Sequence, residues 1–219
     1  ELPGEVAGTL ASREYINKLN EKDGGKRLWM IADTLSAGIG QSYNSFTPIQ
    51  MAYYIATLAN GGVKNELTIV RDVVDSTGKD VSKTTVDEIV DNKINKPEIE
   101  LGSLNISDET IKTVFEGMRS VTGETGGTAY STFSSFPIEV AGKTGTATPS
   151  SGSDHAWFVG FAPYDDPEIA VVCVIEHGGH GAYTAPAVKE VMEEYFGYNT
   201  KDNDEDLKLR TLSDVLIND

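Results

Sequence analysis

Three apolar stretches in close succession, residues 138–148, 156–163 and 168–176, constrain the fold more than any other part of this chain. Each is bounded by turn-forming residues, and each reads as a strand. The linkers Pro149-Ser150-Ser151-Gly152-Ser153-Asp154 and Tyr164-Asp165-Asp166-Pro167 suit antiparallel hairpins. A helix over residues 185–196 follows, with Ala187, Val188, Val191, Met192 and Tyr195 predicted on one face and Gly197 at its end. Helix-rich segments come before the strands. The fold class predicted is therefore α+β, an antiparallel sheet flanked by helices.

The first of the three strands is also where the chemistry concentrates. Phe136-Pro137-Ile138-Glu139-Val140 reads as its start, with Pro137 opening it. Ala141-Gly142-Lys143-Thr144-Gly145-Thr146-Ala147 then brings small residues, one cation and two hydroxyls. An edge strand of this kind can lay its backbone against an extended substrate and offer the cation and hydroxyls to an anion. Alternation puts Thr144 and Thr146 on one face and Lys143 and Gly145 on the other, unless the strand end twists. An ordinary strand with a surface Lys satisfies the same Lys-Thr-Gly pattern, so the triplet alone decides nothing.

Upstream, Ser12 is a candidate cap for a short helix over residues 13–20, followed by a polar loop, residues 21–27, with Gly24-Gly25. Residues 28–35 fit a strand or a short helix equally well. Thr47 caps and Pro48 starts the next helix. Its apolar residues run nearly all round, from Ile49 to Ala59, which predicts burial, and Asn60-Gly61-Gly62 ends it. Residues 68–74 alternate as a strand, Asp75-Ser76-Thr77-Gly78-Lys79 is a turn, and a second strand is expected near Asp80-Val81. Residues 84–100 are acidic and read as a loop. Ser107 has capping character before an amphipathic helix of about 14 residues, striped by Ile111, Val114, Phe115, Met118 and Val121. Residues 123–127 form a flexible loop before a short helix near 128–133. The polar acidic tail, residues 198–219, reads as frayed.

A net charge of −16 argues against nucleic acid and against anionic membrane surfaces as partners. The single Cys173 excludes an internal disulfide and sits in an apolar strand, where a buried, inert thiol is expected. No apolar run reaches about 18 residues, the length of a membrane span, and no signal peptide is visible. The opening Glu1-Leu2-Pro3-Gly4 reads as a loop, which suggests a piece of a longer protein. Cys173, Ile175 and His177 would share a strand face, with His180 in the flexible Gly178-Gly179-His180-Gly181 loop. This spacing is not a usual zinc pattern, so no metal and no cofactor is expected.

The flanks of Lys143 give the triplet its meaning. Gly38-Ile39-Gly40-Gln41 and Thr47-Pro48-Ile49-Gln50-Met51-Ala52 lie upstream, and Gly126-Gly127-Thr128-Ala129 precedes the strand. His155-Ala156-Trp157-Phe158-Val159-Gly160-Phe161-Ala162-Pro163 follows it, and Glu1-Leu2-Pro3-Gly4-Glu5 opens the chain. Together these resemble the class B penicillin-binding proteins, peptidoglycan D,D-transpeptidases that carry Ser-x-x-Lys, Ser-x-Asn and Lys-Thr-Gly. The resemblance covers residues 1–197 and corresponds to the C-terminal part of the transpeptidase domain, with its serine β-lactamase-like fold.

That resemblance implies roles. Lys143 would supply positive potential beside the nucleophile, and Thr144 and Thr146 hydroxyls would bind the carboxylate of a peptidoglycan stem peptide or a β-lactam. The Thr146 backbone N–H would be one of two oxyanion donors, and Gly145 would let the substrate approach the backbone. Ser76-Thr77-Gly78-Lys79, Ser42-Tyr43-Asn44 and Ser103-Leu104-Asn105 match the other two motifs literally. The first lies in a turn instead of at a helix start, the second in a loop, and the third at a helix approach. The nucleophile is therefore expected outside this chain. The resemblance also implies the remainder of the transpeptidase domain as partner, a glycosyltransferase of the elongation or division machinery, and an extracytoplasmic location on a membrane anchor. A non-catalytic module of the same fold, a sensor or scaffold that binds peptidoglycan or cell-wall synthesis partners, is the alternative.

Overall fold

A computed structural model describes residues 5–65, 67, 74–81 and 102–198. The helices are α1 (Arg13–Asp23), α2 (Ile31–Gly38), α3 (Pro48–Ala59), α4 (Asp108–Gly123), α5 (Tyr130–Phe133) and α6 (Ala185–Tyr195). A 3-10 turn, Gly181–Thr184, leads into α6. The short strands β1 (Val63–Lys64) and β2 (Gly102–Ser103) pair antiparallel. The main sheet is β3 (Ala141–Ala147), β4 (His155–Ala162) and β5 (Ile169–Ile175), antiparallel in the order β3-β4-β5.

The helices start where local chemistry places them. Ser12 Oγ accepts the Tyr15 N–H at 3.1 Å, and α1 runs three residues past its expected end, to Gly24 at φ 70°. An Arg27–Asp23 pair at 3.0 and 2.8 Å braces that end. The undecided stretch 28–35 resolves as helix, beginning at Ile31, with the Asp33 carboxylate accepting the Met30 N–H at 2.7 Å. Thr47 and Gln50 form a reciprocal capping box at α3, with Pro48 at its first position. Ser107 caps α4, which is 16 residues long. The Asp75–Lys79 turn is a tight hairpin tip, closed by a single Val74–Asp80 bridge. The strand expected over 68–74 lies outside the described residues except Val74, as do the loop over 84–100 and the tail beyond residue 198.

The sheet is covered on both faces. On one side Phe158 and Ala162 meet Phe133, Phe136, Ala185, Val188 and Met192. The rings of Phe133 and Phe158 stack with centroids 5.6 Å apart. On the other side Ala141, Val159 and Phe161 meet Ile55 of α3 and Met118 of α4. Cys173 is half-buried against the first cluster, and burial pushes its thiol pKa up, as an inert thiol requires.

Residues 136–140 are not strand: the ladder with β4 ends at Phe161↔Ala141, and beyond it only the Glu139 carbonyl is reached from that side, by the Tyr164 N–H at 2.9 Å. Phe136 and Val140 are instead plugs in the core, and the Val140 carbonyl accepts the Thr122 hydroxyl. The buried face of α6 is Ala185, Val188 and Met192, whereas Val191 and Tyr195 are exposed. Ala187 is exposed too, so the expected stripe is rotated by about one residue. Helix α3 buries Ile55, Thr57 and Leu58 but exposes Ile49 and Tyr54. The segment after β5 is not a free loop: His180 caps the 3-10 turn with its ring, accepting the Ala182 N–H at 3.2 Å.

Candidate active site

β3 is the edge strand of the main sheet among the described residues. Its residues pair with β4 as Gly142↔Gly160, Lys143↔Val159, Thr144↔Phe158, Gly145↔Trp157 and Thr146↔Ala156. Gly142, Thr144 and Thr146 therefore share the face of Phe158, and Lys143 and Gly145 share the face of Val159. Gly142 is a packing position: a Cβ there would lie 2.4 Å from Phe158 Cζ. Lys143 and Thr146 are exposed, and Thr144 is buried.

The polar contacts show which backbone groups face the open edge. The Thr144 carbonyl accepts the Lys143 ammonium, and the Thr146 carbonyl accepts the Gln41 side-chain amide at 3.4 Å. Side-chain donors reach both carbonyls, which assigns them to the open side of the strand. In an antiparallel strand the N–H and C=O of one residue point the same way. The N–H groups of Thr144 and Thr146 thus also face outward, where an extended ligand can pair with them. Lys143 puts a cation at this same edge.

Both hydroxyls are held from outside the strand. Thr144 Oγ1 lies 2.9 Å from Thr128 Oγ1. Thr146 Oγ1 accepts the Gly181 N–H at 3.2 Å. Thr128 is fixed because Gly127 packs on the end of α4, where a Cβ would lie 2.4 Å from the Ser120 carbonyl oxygen, and Ala129 N–H donates to Val121 O at 3.0 Å. The structure thus brings Lys143, Thr144, Gly145 and Thr146 together with Thr128, Gly181 and Gln41. The last three escape a reading of sequence spacing. Gly-Gly-Thr before the strand and Gly-Ile-Gly-Gln after α2 are visible as motifs, yet nothing local says which hydroxyl or carbonyl they reach.

The other literal motif matches are elsewhere. Ser76 sits in a turn where Asp75 Oδ1 accepts the Thr77 N–H at 2.8 Å and the Lys79 N–H at 3.1 Å. Gly78 there has φ 81°, so no helix begins at Ser76. Asn44 is spent on structure: its oxygen accepts the Ala11 N–H at 2.9 Å and its amide donates to Ala37 O at 3.2 Å. Ser103 lies on β2, exposed.

His177 does not share a strand face with Cys173, because β5 ends at Ile175 and His177 turns to φ 56°. Its N–H donates to His155 Nδ1 at 2.9 Å, and its own Nδ1 lies 2.8 Å from Ser153 O. A carbonyl only accepts, so His177 carries its proton on Nδ1 and His155 leaves its Nδ1 bare. These rings stitch the 149–154 loop to the segment after β5. Among the described residues no group of three or more His, Cys, Asp or Glu side chains is placed to hold a metal. No helix among them is long and apolar enough to cross a membrane.

Comparison with known proteins gives the geometry its context. A family model for the penicillin binding protein transpeptidase domain matches residues 5–193. The peptidoglycan D,D-transpeptidase MrdA of Haemophilus influenzae is 31% identical over 211 residues, covering 89% of this chain and 30% of that protein. The crystal structure of Pseudomonas aeruginosa PBP2 in complex with WCK 5153 superposes with a TM-score of 0.65 at 33% identity, covering 89% of this chain and 39% of that one. A chain of a peptidoglycan synthase complex, solved for the structural coordination of polymerization and crosslinking, superposes with a TM-score of 0.67 at 31% identity, covering 92% and 31%. The chain thus spans about a third of the length of the relatives it matches.

Proposed function

The chain belongs to the penicillin-binding-protein transpeptidase domain family, and on that premise we propose that it is the C-terminal part of a peptidoglycan D,D-transpeptidase that cross-links stem peptides by serine acyl transfer. One observation carries the reading. Two threonine hydroxyls share a face of an edge strand whose outward N–H groups are open to pairing, with an ammonium at the same edge.

Each group then has a task. The Thr144 and Thr146 hydroxyls hold the carboxylate that ends a stem peptide, or the carboxylate of a β-lactam. The Thr146 N–H donates to the oxyanion that develops when the acyl carbonyl is attacked. The Lys143 ammonium lowers the energy of charge building at the nucleophile. Gly145 keeps the strand slim where the substrate backbone lies along it. The nucleophilic Ser-x-x-Lys and the Ser-x-Asn are carried by polypeptide outside this chain, since no Ser among the described residues begins a helix with Lys one turn on. The domain organisation follows: residues 1–197 complete a transpeptidase domain, and 198–219 are a polar extension.

Leu28, Met30, Ile31, Leu35 and Ile39 around α2 are each more than half exposed, and the Tyr53 hydroxyl is buried with no hydrogen-bond partner among the described residues. An apolar surface of this density calls for cover. The remainder of the transpeptidase domain is the cover we assign. A glycosyltransferase of the elongation or division machinery is the further partner, and an N-terminal anchor holds the assembly at the extracytoplasmic face of the cell membrane.

The carboxylate role is tested in the complete polypeptide by Thr146→Val. It keeps the shape and the backbone donor and removes one hydroxyl. A hydrogen bond to a charged group contributes roughly 1.5–3 kcal/mol. The second-order rate of acylation by penicillin is expected to fall about ten- to a hundred-fold, with thermal stability little changed. An unchanged rate would remove Thr146 from the site. In the same spirit, residues 1–219 alone are expected to form no covalent penicillin adduct by intact-mass measurement. An adduct mapped to Ser76 would return the nucleophile to this chain.

A further inference from the structure

Gly181 lies beside the candidate site, and no motif or spacing in the sequence marks it. It opens the 3-10 turn and is buried. A Cβ built on it would lie 2.3 Å from the Gly145 carbonyl oxygen, 2.8 Å from the Gly145 nitrogen and 2.9 Å from the Gly145 carbonyl carbon. All three are backbone atoms of β3, and backbone cannot swing aside as a side-chain tip does. Only a residue without a side chain lets this turn rest on the strand.

The turn is itself rigidly tied. Thr184, fully buried, donates its hydroxyl to the Gly181 carbonyl at 2.8 Å. His180 Nδ1 accepts the Ala182 N–H at 3.2 Å, and Gly179 N–H donates to Asp154 O at 2.8 Å. Directly after it, Ala185, Val188 and Met192 anchor α6 in the core. The position of Gly181 is therefore set by the core, and Gly181 in turn sets the strand.

A consequence for Thr146 follows from hydrogen-bond polarity. A hydroxyl has one proton to donate and two lone pairs to accept with. The Gly181 N–H, at 3.2 Å, can only donate, so it occupies a lone pair of Thr146 Oγ1. The hydroxyl proton is left for another acceptor, such as an anion. We propose that Gly181 is a positioning residue for the reaction: by close packing on Gly145 and by its N–H, it fixes the Thr146 hydroxyl as a donor to the substrate carboxylate. This rests on the reading of Thr146 as a carboxylate ligand.

The test compares acylation of the complete polypeptide by benzylpenicillin and by its methyl ester, which lacks the anion. The readout is the ratio of the two second-order rates. Thr146→Val is expected to lower that ratio by about tenfold, the loss of one bond to a charged group. Gly181→Ala is expected to lower it by a similar factor, and the double variant to fall no further than the worse single one, because both act through one hydroxyl. His180→Ala loosens the turn at an exposed position without inserting atoms and serves if Gly181→Ala does not fold. Its ratio is expected to fall about threefold, part of the same bond. A fall in both rates with an unchanged ratio, while Thr146→Val shifts it, would reduce Gly181 to a packing residue and overturn the inference alone. An unchanged ratio in Thr146→Val would overturn the carboxylate reading, and the inference with it.

Discussion

Lys143→Ala is expected to slow acylation of the complete polypeptide by penicillin by about 10²–10³-fold, the scale seen when one preorganised donor is removed from an oxyanion site. Under the proposed function charge builds at the nucleophile as the carbonyl is attacked, and the Lys143 ammonium would stabilise it from the open edge of a strand held on both sides by packing. A cation already in place costs no reorganisation as the charge forms. Lys143 is exposed and its ammonium rests on the Thr144 carbonyl, so truncation leaves the core untouched. Thermal stability should therefore move by well under the roughly 1 kcal/mol typical of point changes. Stopped-flow acylation with a fluorescent penicillin, alongside a melting curve, separates the two. A lost rate with a lost fold would mean that Lys143 is structural.

Phe158→Ala is expected to destabilise the fold by about 3–5 kcal/mol, the usual cost of emptying an aromatic site in a packed core. Phe158 is fully buried, stacks on Phe133 and packs with Val188 and Met192 of α6. Its ring also fills the space that a side chain at Gly142 would occupy. The two positions are therefore coupled. Gly142→Ala alone drives a methyl to 2.4 Å from Phe158 Cζ and should destabilise. In the Phe158→Ala background that methyl enters the new cavity, so the double variant should be less destabilised than the two singles sum to. Urea unfolding of the four forms reads the coupling. Additivity would show that the ring does not lie across Gly142.

Much of this was legible in the sequence because it is local. Thr47-Pro48 and Gln50 announce the start of α3 by chemistry within one turn, and Ser12 and Ser107 do the same for α1 and α4. The hairpins of the main sheet follow from turn residues between apolar runs. Lys143, Thr144 and Thr146 are legible as one edge by strand alternation. What was not legible depends on contacts between distant residues. Phe136 and Val140 alternate as a strand would, but the ladder with β4 ends at Ala141 and the core takes them as plugs. The face of α6 that is buried, Ala185, Val188 and Met192, is chosen by its contacts with the distant core and not by the local apolar pattern. Gly181 reads as one glycine in a loop, and only the approach of Gly145, 36 residues earlier in the chain, shows why no side chain fits there.

The most direct test of the central claim is a crystal structure of the complete polypeptide after reaction with benzylpenicillin. The proposal predicts an acyl group on a serine outside residues 1–219, in a Ser-x-x-Lys at a helix start, with the ligand carboxylate within about 3 Å of Thr144 Oγ1 and Thr146 Oγ1. An acyl group on Ser76, or a carboxylate held away from β3, would contradict it.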